Sequence, residues 1–518
     1  MEIKTDVEFL RCRRPSEVHT ESTAEYVLPD YDPDVRKILS TSAELRPSGR
    51  FVGDGEIEFS GIIVYNLVYS DSENNISSVS FSSDYDYTVK CNAEKYADSF
   101  AETKVSSYAV RLLGPRKVSA SAAVVGSVRI CESDSLSYSG SAFSGEENPE
   151  VKLGEVKMRS CHGSGTAERE YAESIARLEG AISEEVKVIH IAAEPTCDEC
   201  TSEDGRVLMR GHIRLSCGIK NCDEPAYLVE KIIPLEEYIP FDGVSADMYL
   251  LPKITVTSLR ANVNADDSGC EVVASLIIEM SAVGEKNQEI PLITDAYMRK
   301  CEVENVYENF AYTELCSVLR DKSAHTAEAL RSEIDCEAIR EVVFLTATPR
   351  LESMTFEDGE VKMVGEMRYH GVASEIGDDG KVLYVPIKIS RNFERNVNVS
   401  CQNSDGLRFE SRICATGAAC SMDAEKLYLS STIEADIVIL RDGVKTRLSS
   451  CEAISETEVK NDGARVVVYY PERGESLFSV AKRYHTTVEK LARDNALEVS
   501  VATLGDAELS AVKRLIIY

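Results

Sequence analysis

The sequence contains no tryptophan, only seven histidines, and aromatic residues at 7%. It has no long apolar run. Stretches such as Gly61–Tyr65 and Ser121–Val125 fall far short of the ~20 residues that cross a bilayer as a helix, so no membrane span is expected. Basic residues are in deficit: 57 against 88 acidic, a net charge of −31. Such a chain repels phosphate backbones, which argues against sequence-independent nucleic-acid binding. The opening MEIKTDVEFLRCRRP has early acids and no apolar h-region, so no secretory signal is expected. Catalytic signatures are also missing: there is no G-x-S-x-G, no G-x4-G-K and no G-x-G-x-x-G. The histidines form no sequence cluster, and His190, between Ile189 and Ile191, reads as a strand residue. Neither an enzyme nor a cofactor is expected.

What is present is ordinary globular composition, 43% hydrophobic and 28% charged. At roughly 100–200 residues per domain, 518 residues make about three to five domains. Sixteen cysteines lie spread between Cys12 and Cys451, which suits free thiols in a reducing compartment better than a disulfide framework. From Val466 to Tyr518 seven basic residues balance seven acidic ones, so the first 465 residues carry the whole net charge. Two composition regimes point to two kinds of domain.

The main organising signal is an internal repeat. Asp54-Gly55, Asp204-Gly205 and Asp358-Gly359 are each followed six residues on by Gly61, Gly211 or Gly365. Around these glycines the aligned positions Ile57/Val207/Val361, Phe59/Met209/Met363, Ile63/Ile213/Met367 and Tyr65/Leu215/Tyr369 are all apolar. Apolar residues at every second position define a strand with one buried face. Asp-Gly before it makes a tight hairpin turn, because glycine takes positive φ without a Cβ clash. The later glycine falls on the buried face and marks a bulge or a close backbone approach. A strand is expected before the second and third Asp-Gly turns (Val188–Ile191 and Val342–Leu345), and another after the polar turn that ends each long strand (Ser78–Phe81, Tyr227–Pro234 and Val382–Ile389). The expected fold is mainly β: three tandem β-rich domains over 1–150, 151–300 and 301–452, a linker over 453–465, and a small α+β module over 466–518. Ala167–Ala181, with apolar Ala172, Ile175, Ala176 and Leu178, and Tyr312–Ile334 read as helices between the β units.

Two candidate metal sites read as structural. Asp30, Asp32 and Asp34 alternate like the start of a calcium loop, but Val35 and Thr41 stand where glycine and glutamate are needed. A turn leading into an amphipathic helix with Val35, Ile38 and Leu39 is the expected structure. Cys197, Cys200, Cys217 and Cys222 have the spacing C-x2-C-x16-C-x4-C of a zinc ribbon. A hairpin turning at Asp204-Gly205 sets Cys200 opposite Met209 and Cys197 opposite His212, and leaves Cys217 five residues, or ~17 Å, further along. No metal is expected.

The C-terminal module reads β-α-α-β. Val466–Tyr470 is a strand, Ser476 caps a helix with Leu477, Val480, Ala481 and Tyr484 on one stripe, and Thr486 with Glu489 makes a capping box. Val488, Leu491 and Ala492 form a second stripe, Asn495 is placed as the C′ residue, and Lys513–Tyr518 closes as a strand. The residues Tyr470, Gly474, Glu475, Ser476, Leu477, Val480 and Ala481, with Leu491 and Asn495, resemble the LysM domain family. That resemblance implies a ligand groove built by Gly474, Glu475, Ser476, Leu477, Asp494, Asn495 and Leu497. The family's Gly-Gln before the last strand is replaced near Val512-Lys513, and the chain ends Leu515-Ile516-Ile517-Tyr518 without the usual proline. These departures lie near the second groove loop and shift the expected partner from a glycan to a protein.

The preceding ~455 residues resemble the SPOCS domain family, carried by Leu28-Pro29-Asp30-Tyr31-Asp32-Pro33-Asp34-Val35 through Ile38-Leu39 and by the repeat. SPOCS units followed by one LysM domain is the layout of SipL-like spore-coat morphogenesis proteins. The resemblance implies a non-enzymatic scaffold in the mother-cell cytoplasm of a sporulating Firmicute, at the forespore surface. Its LysM module would dock on a spore-coat morphogenetic ATPase and its repeats on other coat proteins. The alternative is a peptidoglycan-binding protein of the cell envelope.

Overall fold

The computed structural model describes residues 6–13, 16–144, 148–221, 224–334, 336, 339–377, 380–399, 405–423, 425–458, 466–497, 509 and 512–518. The chain is mainly β, and each Asp-Gly repeat builds a three-stranded antiparallel meander. The first runs Lys37–Val52, Glu56–Ser70, Ile76–Lys90; the second Val186–Glu203, Arg206–Asn221, Tyr227–Pro240; the third Glu341–Glu357, Glu360–Ile376, Val382–Asn398. The aligned Ile57, Val207 and Val361 are all fully buried. The turn glycines Gly55, Gly205 and Gly359 have φ of 84°, 72° and 84°, the region that only glycine enters freely.

A second antiparallel sheet backs each meander. In the first unit Asp6–Cys12 and Ser16–Val27 follow one another along one edge of Lys117–Ser137, and Tyr96–Gly114 lies on its other edge. The equivalent central strands are Gly269–Tyr297, between Glu150–Glu179 and Tyr249–Asp266, and Lys426–Glu458, between Cys301–Leu330 and Leu407–Met422. Each unit is therefore a two-layer sandwich. In the first, Ile57, Ile63 and Tyr65 of the meander close on Val118, Ala120, Ala122 and Val124. In the second, Val207, Met209 and Ile213 meet Ala274, Leu276 and Ile278.

The repeated glycine does two things at once. Gly61, Gly211 and Gly365 pair with Pro47, Cys197 and Leu351, and in each unit the ladder slips one residue just beside that pair. Ser48, Asp198 and Glu352 are the extra, bulged residues. A Cβ on these glycines would lie 2.6, 2.0 and 2.4 Å from the carbonyl oxygens of Arg46, Thr196 and Arg350, so the close approach is real as well.

A second bulge recurs near the start of each meander, at Leu39, Ile189 and Val343. These three residues, 0%, 2% and 0% exposed, meet in a single apolar cluster with Val68, Ile76, Ala226, Phe344, Val372 and Tyr384. Strand Ile76–Lys90 touches Val186–Glu203, Tyr227–Pro240 touches Glu341–Glu357, and Val382–Asn398 returns to Lys37–Val52. The three units thus close into a ring around a shared core, with a pseudo-threefold arrangement. The Tyr384 hydroxyl accepts from the Ala226 N–H (3.1 Å) and the Ser78 hydroxyl donates to the Val188 carbonyl (3.0 Å) across two of the seams. A second shared cluster joins the backing sheets through Phe9 and Leu136, Val156, Met158, Ile290 and Leu292, and Phe310.

Several local expectations are corrected. Ala167–Ala181 and Tyr312–Ile334 are not helices; they lie largely within the long strands Glu150–Glu179 and Cys301–Leu330. The helical spacing came from a bulge: Ser174 pairs with Val273 and Ala176 with Val272, leaving Ile175 as an extra residue. Consecutive Ile175 and Ala176 then both turn inward, which mimics a 3.6-residue period while Ala172 stays exposed. After the Asp30–Asp34 turn the chain enters the strand Lys37–Val52, not a helix. Arg116 holds that turn, donating to the Asp32 carbonyl (3.0 Å) and the Asp34 carboxylate (2.7 Å), with Leu28 and Val35 buried beneath. The linker expected from Ala453 is strand as far as Glu458, and 459–465 lie outside the described residues. Among the described residues no helix is long and apolar enough to cross a membrane.

His190 sits at the seam between the second and third units, 9% exposed and stacked on Phe344 at 4.1 Å. Burial pushes its pKa down to about 4. The folded protein therefore excludes a proton that the unfolded chain takes up below pH ~6.5. The seam's stability should be complete above pH ~6.5, fall as the pH drops toward 4, and level off below that. The total loss expected from this group is ~3 kcal/mol. Urea unfolding of the wild type and His190→Phe at neutral pH and at pH ~4.5 separates this from carboxylate titration. The wild type should lose more stability than the variant, and equal losses would contradict the assignment.

Candidate functional site

The C-terminal module forms because two short helices place one apolar stripe each against a two-stranded sheet. Val467–Tyr469 pairs antiparallel with Leu515–Ile517, and the helices span Leu477–Arg483 and Val488–Asp494. Leu477, Phe478, Val480, Ala481, Val488, Leu491, Ala492, Leu509, Leu515 and Ile517 make its core. Ser476 caps the first helix, accepting from the Ser479 N–H at 3.2 Å. The second helix is capped by Thr487, which accepts from the Lys490 N–H at 3.0 Å, one residue later than the expected Thr486 box. Asn495 is the C-cap with φ −107°, and it is Ala496, at φ +52°, that takes the left-handed position.

Two loops border the expected groove. The first turns at Gly474, whose φ of +87° requires glycine or strain. Glu475 is used internally: it accepts from the Tyr469 hydroxyl (2.7 and 2.8 Å) and the Glu472 N–H (2.9 Å), and pairs with Arg483 (3.0 Å). The Glu472 N–H, followed by Tyr469 and Arg483, holds its carboxyl below the usual glutamate range. Leu477 is fully buried. Asn495 ties the second helix to the last strand, donating to the Leu491 and Ile516 carbonyls (2.9 and 2.8 Å) and accepting from the Ile516 N–H (2.6 Å). Leu497 is half-buried against the module core. Asp494 is half-buried, with its carboxylate 3.8 Å from Arg493. Of the seven expected groove residues, Glu475, Ser476, Leu477 and Asn495 therefore build the module. Asp494 and Leu497 sit beside the exposed Arg493, and Gly474 shapes the rim. Most of the second loop, 498–508, lies outside the described residues.

The opposite side of the module seats on the second β unit. Phe478 packs edge-on against buried Tyr297, with centroids 5.2 Å apart, and the Tyr297 hydroxyl donates to the Thr486 carbonyl at 2.6 Å. Lys482 reaches both oxygens of Asp295 at 2.7 Å, and the His485 ring hydrogen-bonds the Met298 carbonyl (3.0 Å). Asp295 is fixed in turn by the Tyr307 hydroxyl (2.9 Å) and the Asn305 amide (3.1 Å). The module's contacts with Asp295, Tyr297 and Met298 were not legible in the sequence, because the partners are 181 to 189 residues apart and no local pattern marks them.

The cysteine quartet does not assemble. Cys200 pairs with Met209 as expected, but the Asp198 bulge moves Cys197 opposite Gly211 rather than His212. That extra residue brings Cys197 and Cys200 to the same face against the unit core, whereas Cys217 is fully buried in a different cluster with Val186, Ile219 and Cys270. Cys222 lies outside the described residues. The Cys200 thiol and then Arg320, 3.6 Å away, bring the Cys197 thiol down to about 7, and burial pushes Cys217 up to about 12.

The described residues thus make a capped βααβ module. A family model for the LysM domain matches residues 472–504, and the chain carries a LysM domain there. No curated protein and no solved structure matches the chain.

Proposed function

We propose that this protein is a non-enzymatic assembly scaffold of the spore coat, with the β units acting as SPOCS-type assembly domains and the LysM module as a docking element. The observation that carries the reading is the division of labour in the module. One side, through Phe478, Lys482, His485 and Thr486, is committed to the β body. The Gly474 and Asp494–Leu497 loops have no such contact among the described residues. A module clamped to a large acidic body presents its groove in a fixed orientation, as a docking element requires and a freely tethered wall-binding domain does not. The polar groups of Glu475 and Asn495 are already engaged, which leaves fewer donors and acceptors for a sugar and favours a protein surface with an apolar anchor and a polar rim. The partner proposed is a coat ATPase at the forespore surface, met in the mother-cell cytoplasm.

The LysM match itself favours a second reading, glycan binding at a peptidoglycan surface. Asp494→Lys separates the two, because its side chain is outside the core, whereas Leu497→Asp would also disturb packing. In sporulating cells the scaffold reading expects the Asp494→Lys protein to lose recruitment to the forespore while the purified module keeps its circular dichroism spectrum. Normal recruitment would remove the groove from consideration. Co-sedimentation of the intact protein with purified peptidoglycan, lost on deleting 466–518, would establish the glycan reading instead.

A further inference from the structure

Three cysteines that played no part in the sequence motifs, Cys12, Cys131 and Cys161, meet where the first and second units join. Cys12 ends the N-terminal strand Asp6–Cys12 and stands directly opposite Cys131 in the ladder, with the two sulfurs 3.1 Å apart. The next pair along, Arg13 and Ile130, is joined by an N–H to carbonyl bond of 2.9 Å. Antiparallel pairs alternate between hydrogen-bonded and non-hydrogen-bonded sites, so Cys12 and Cys131 occupy a non-hydrogen-bonded site, where side chains stand closest. That is the cross-strand position from which a disulfide forms with a closure of ~1 Å between the sulfurs and no movement of the chain. Cys131 is buried, whereas Cys12 is half-buried at the end of its strand.

We propose that Cys12 and Cys131 are an oxidation site: a peroxide-class oxidant converts them to one intramolecular disulfide that staples the N-terminal strand to the central strand of its sheet. The chemistry balances with peroxide as the two-electron acceptor. The Cys12 thiolate attacks one peroxide oxygen, the O–O bond breaks, and the departing hydroxide takes the thiol proton as water. The Cys131 sulfur then attacks the resulting sulfenic sulfur, the S–S bond forms, the S–O bond breaks, and a second water leaves with the Cys131 proton.

The surroundings assign the roles. Hydrogen bonding with the Cys131 thiol lowers the Cys12 pKa; burial and Glu285 oppose this, and Arg129 and Arg159 add to the lowering. Cys131 is held in the thiol form, the state of a resolving partner before attack. The staple would close a loop spanning 119 positions of sequence. It would fix Phe9, which lies three residues before Cys12 and in the apolar cluster shared by all three units. Oxidation would then lock a strand that also packs on Glu150–Glu179 and Gly269–Tyr297 of the second unit, without altering the LysM module. The proposal does not depend on what that module binds.

The test uses the full chain. The reduced protein is treated with hydrogen peroxide, its remaining thiols are alkylated, and it is digested without reductant for mass spectrometry. The expected result is a Cys12 peptide joined to a Cys131 peptide, reversed by dithiothreitol and absent from both Cys12→Ser and Cys131→Ser. Cys161→Ser, which removes the third thiol nearby, should keep the link. Susceptibility of the Asp6–Cys12 segment to limited proteolysis should fall on oxidation in the wild type and stay unchanged in Cys12→Ser. Full alkylation of Cys12 after treatment, or a link that maps to Cys131 and Cys161 instead, overturns the proposal.

Discussion

Glu285→Ala should destabilise the protein by about 3–5 kcal/mol, because it leaves two largely buried guanidinium groups with only the Glu410 carboxylate between them. Glu285 is 0% exposed and holds Arg159 through two contacts of 2.8 and 3.1 Å and Arg129 at 2.7 Å. The arginines come from different units: Arg129 from Lys117–Ser137 and Arg159 from Glu150–Glu179. Glu410 of the third unit completes the group, 2.9 Å from Arg159. Two carboxylates thus face two guanidinium groups at the place where three sandwiches meet. A buried pair costs desolvation energy to form, so its presence is weak support for stability; its half-removal is what is expensive. Urea unfolding should therefore show Glu285→Ala to be much worse than the combined Glu285→Leu/Arg159→Met, which removes both charges and leaves Arg129 with Glu410. A loss below about 1 kcal/mol for the single variant would mean that water reaches the cluster.

What could be read in the sequence followed from local chemistry. The Asp-Gly turn, the alternation around Ile57, Val207 and Val361 and the inward glycine all act within one hairpin, and each is present three times. The module's caps and stripes are local as well, and they came out within one residue. Bulges defeated the rest. An extra residue at Ile175 turned a strand's parity into a helical period, and the one at Asp198 shifted Cys197 by a position. Ring closure was invisible for a different reason. Leu39, Ile189 and Val343 are unremarkable strand residues, and only the matching bulge in each repeat brings them to one point. The seat of the LysM module on Asp295 and Tyr297 and the Cys12–Cys131 pair join residues more than a hundred positions apart, which no window along the chain registers.

The repeated glycine offers the sharpest test of the ring's construction. Gly211→Ala should cost about 3 kcal/mol or more, since its Cβ would sit 2.0 Å from the Thr196 carbonyl oxygen and 3.1 Å from the Cys197 Cα. Those atoms belong to backbone already held in the bulge, so no rotamer change relieves the contact. Gly365→Ala should follow, with the Arg350 carbonyl at 2.4 Å and the Phe393 ring at 2.8 Å. Gly61→Ala should cost least of the three, with the Arg46 carbonyl at 2.6 Å and the Tyr85 hydroxyl at 2.7 Å. In the first and third units an aromatic ring from the neighbouring strand lies over the bare glycine, so the substitution also displaces packed surface there. Gly49→Ala is the control beside the same kind of bulge: its nearest contact, the Ser60 hydroxyl at 3.6 Å, is ordinary, and its cost should stay within about 0.5 kcal/mol. Denaturant midpoints rank the four variants directly. If Gly211→Ala behaved like Gly49→Ala, the bulge would be adjustable, and the close backbone approach would not be the reason a glycine stands at this position in all three units.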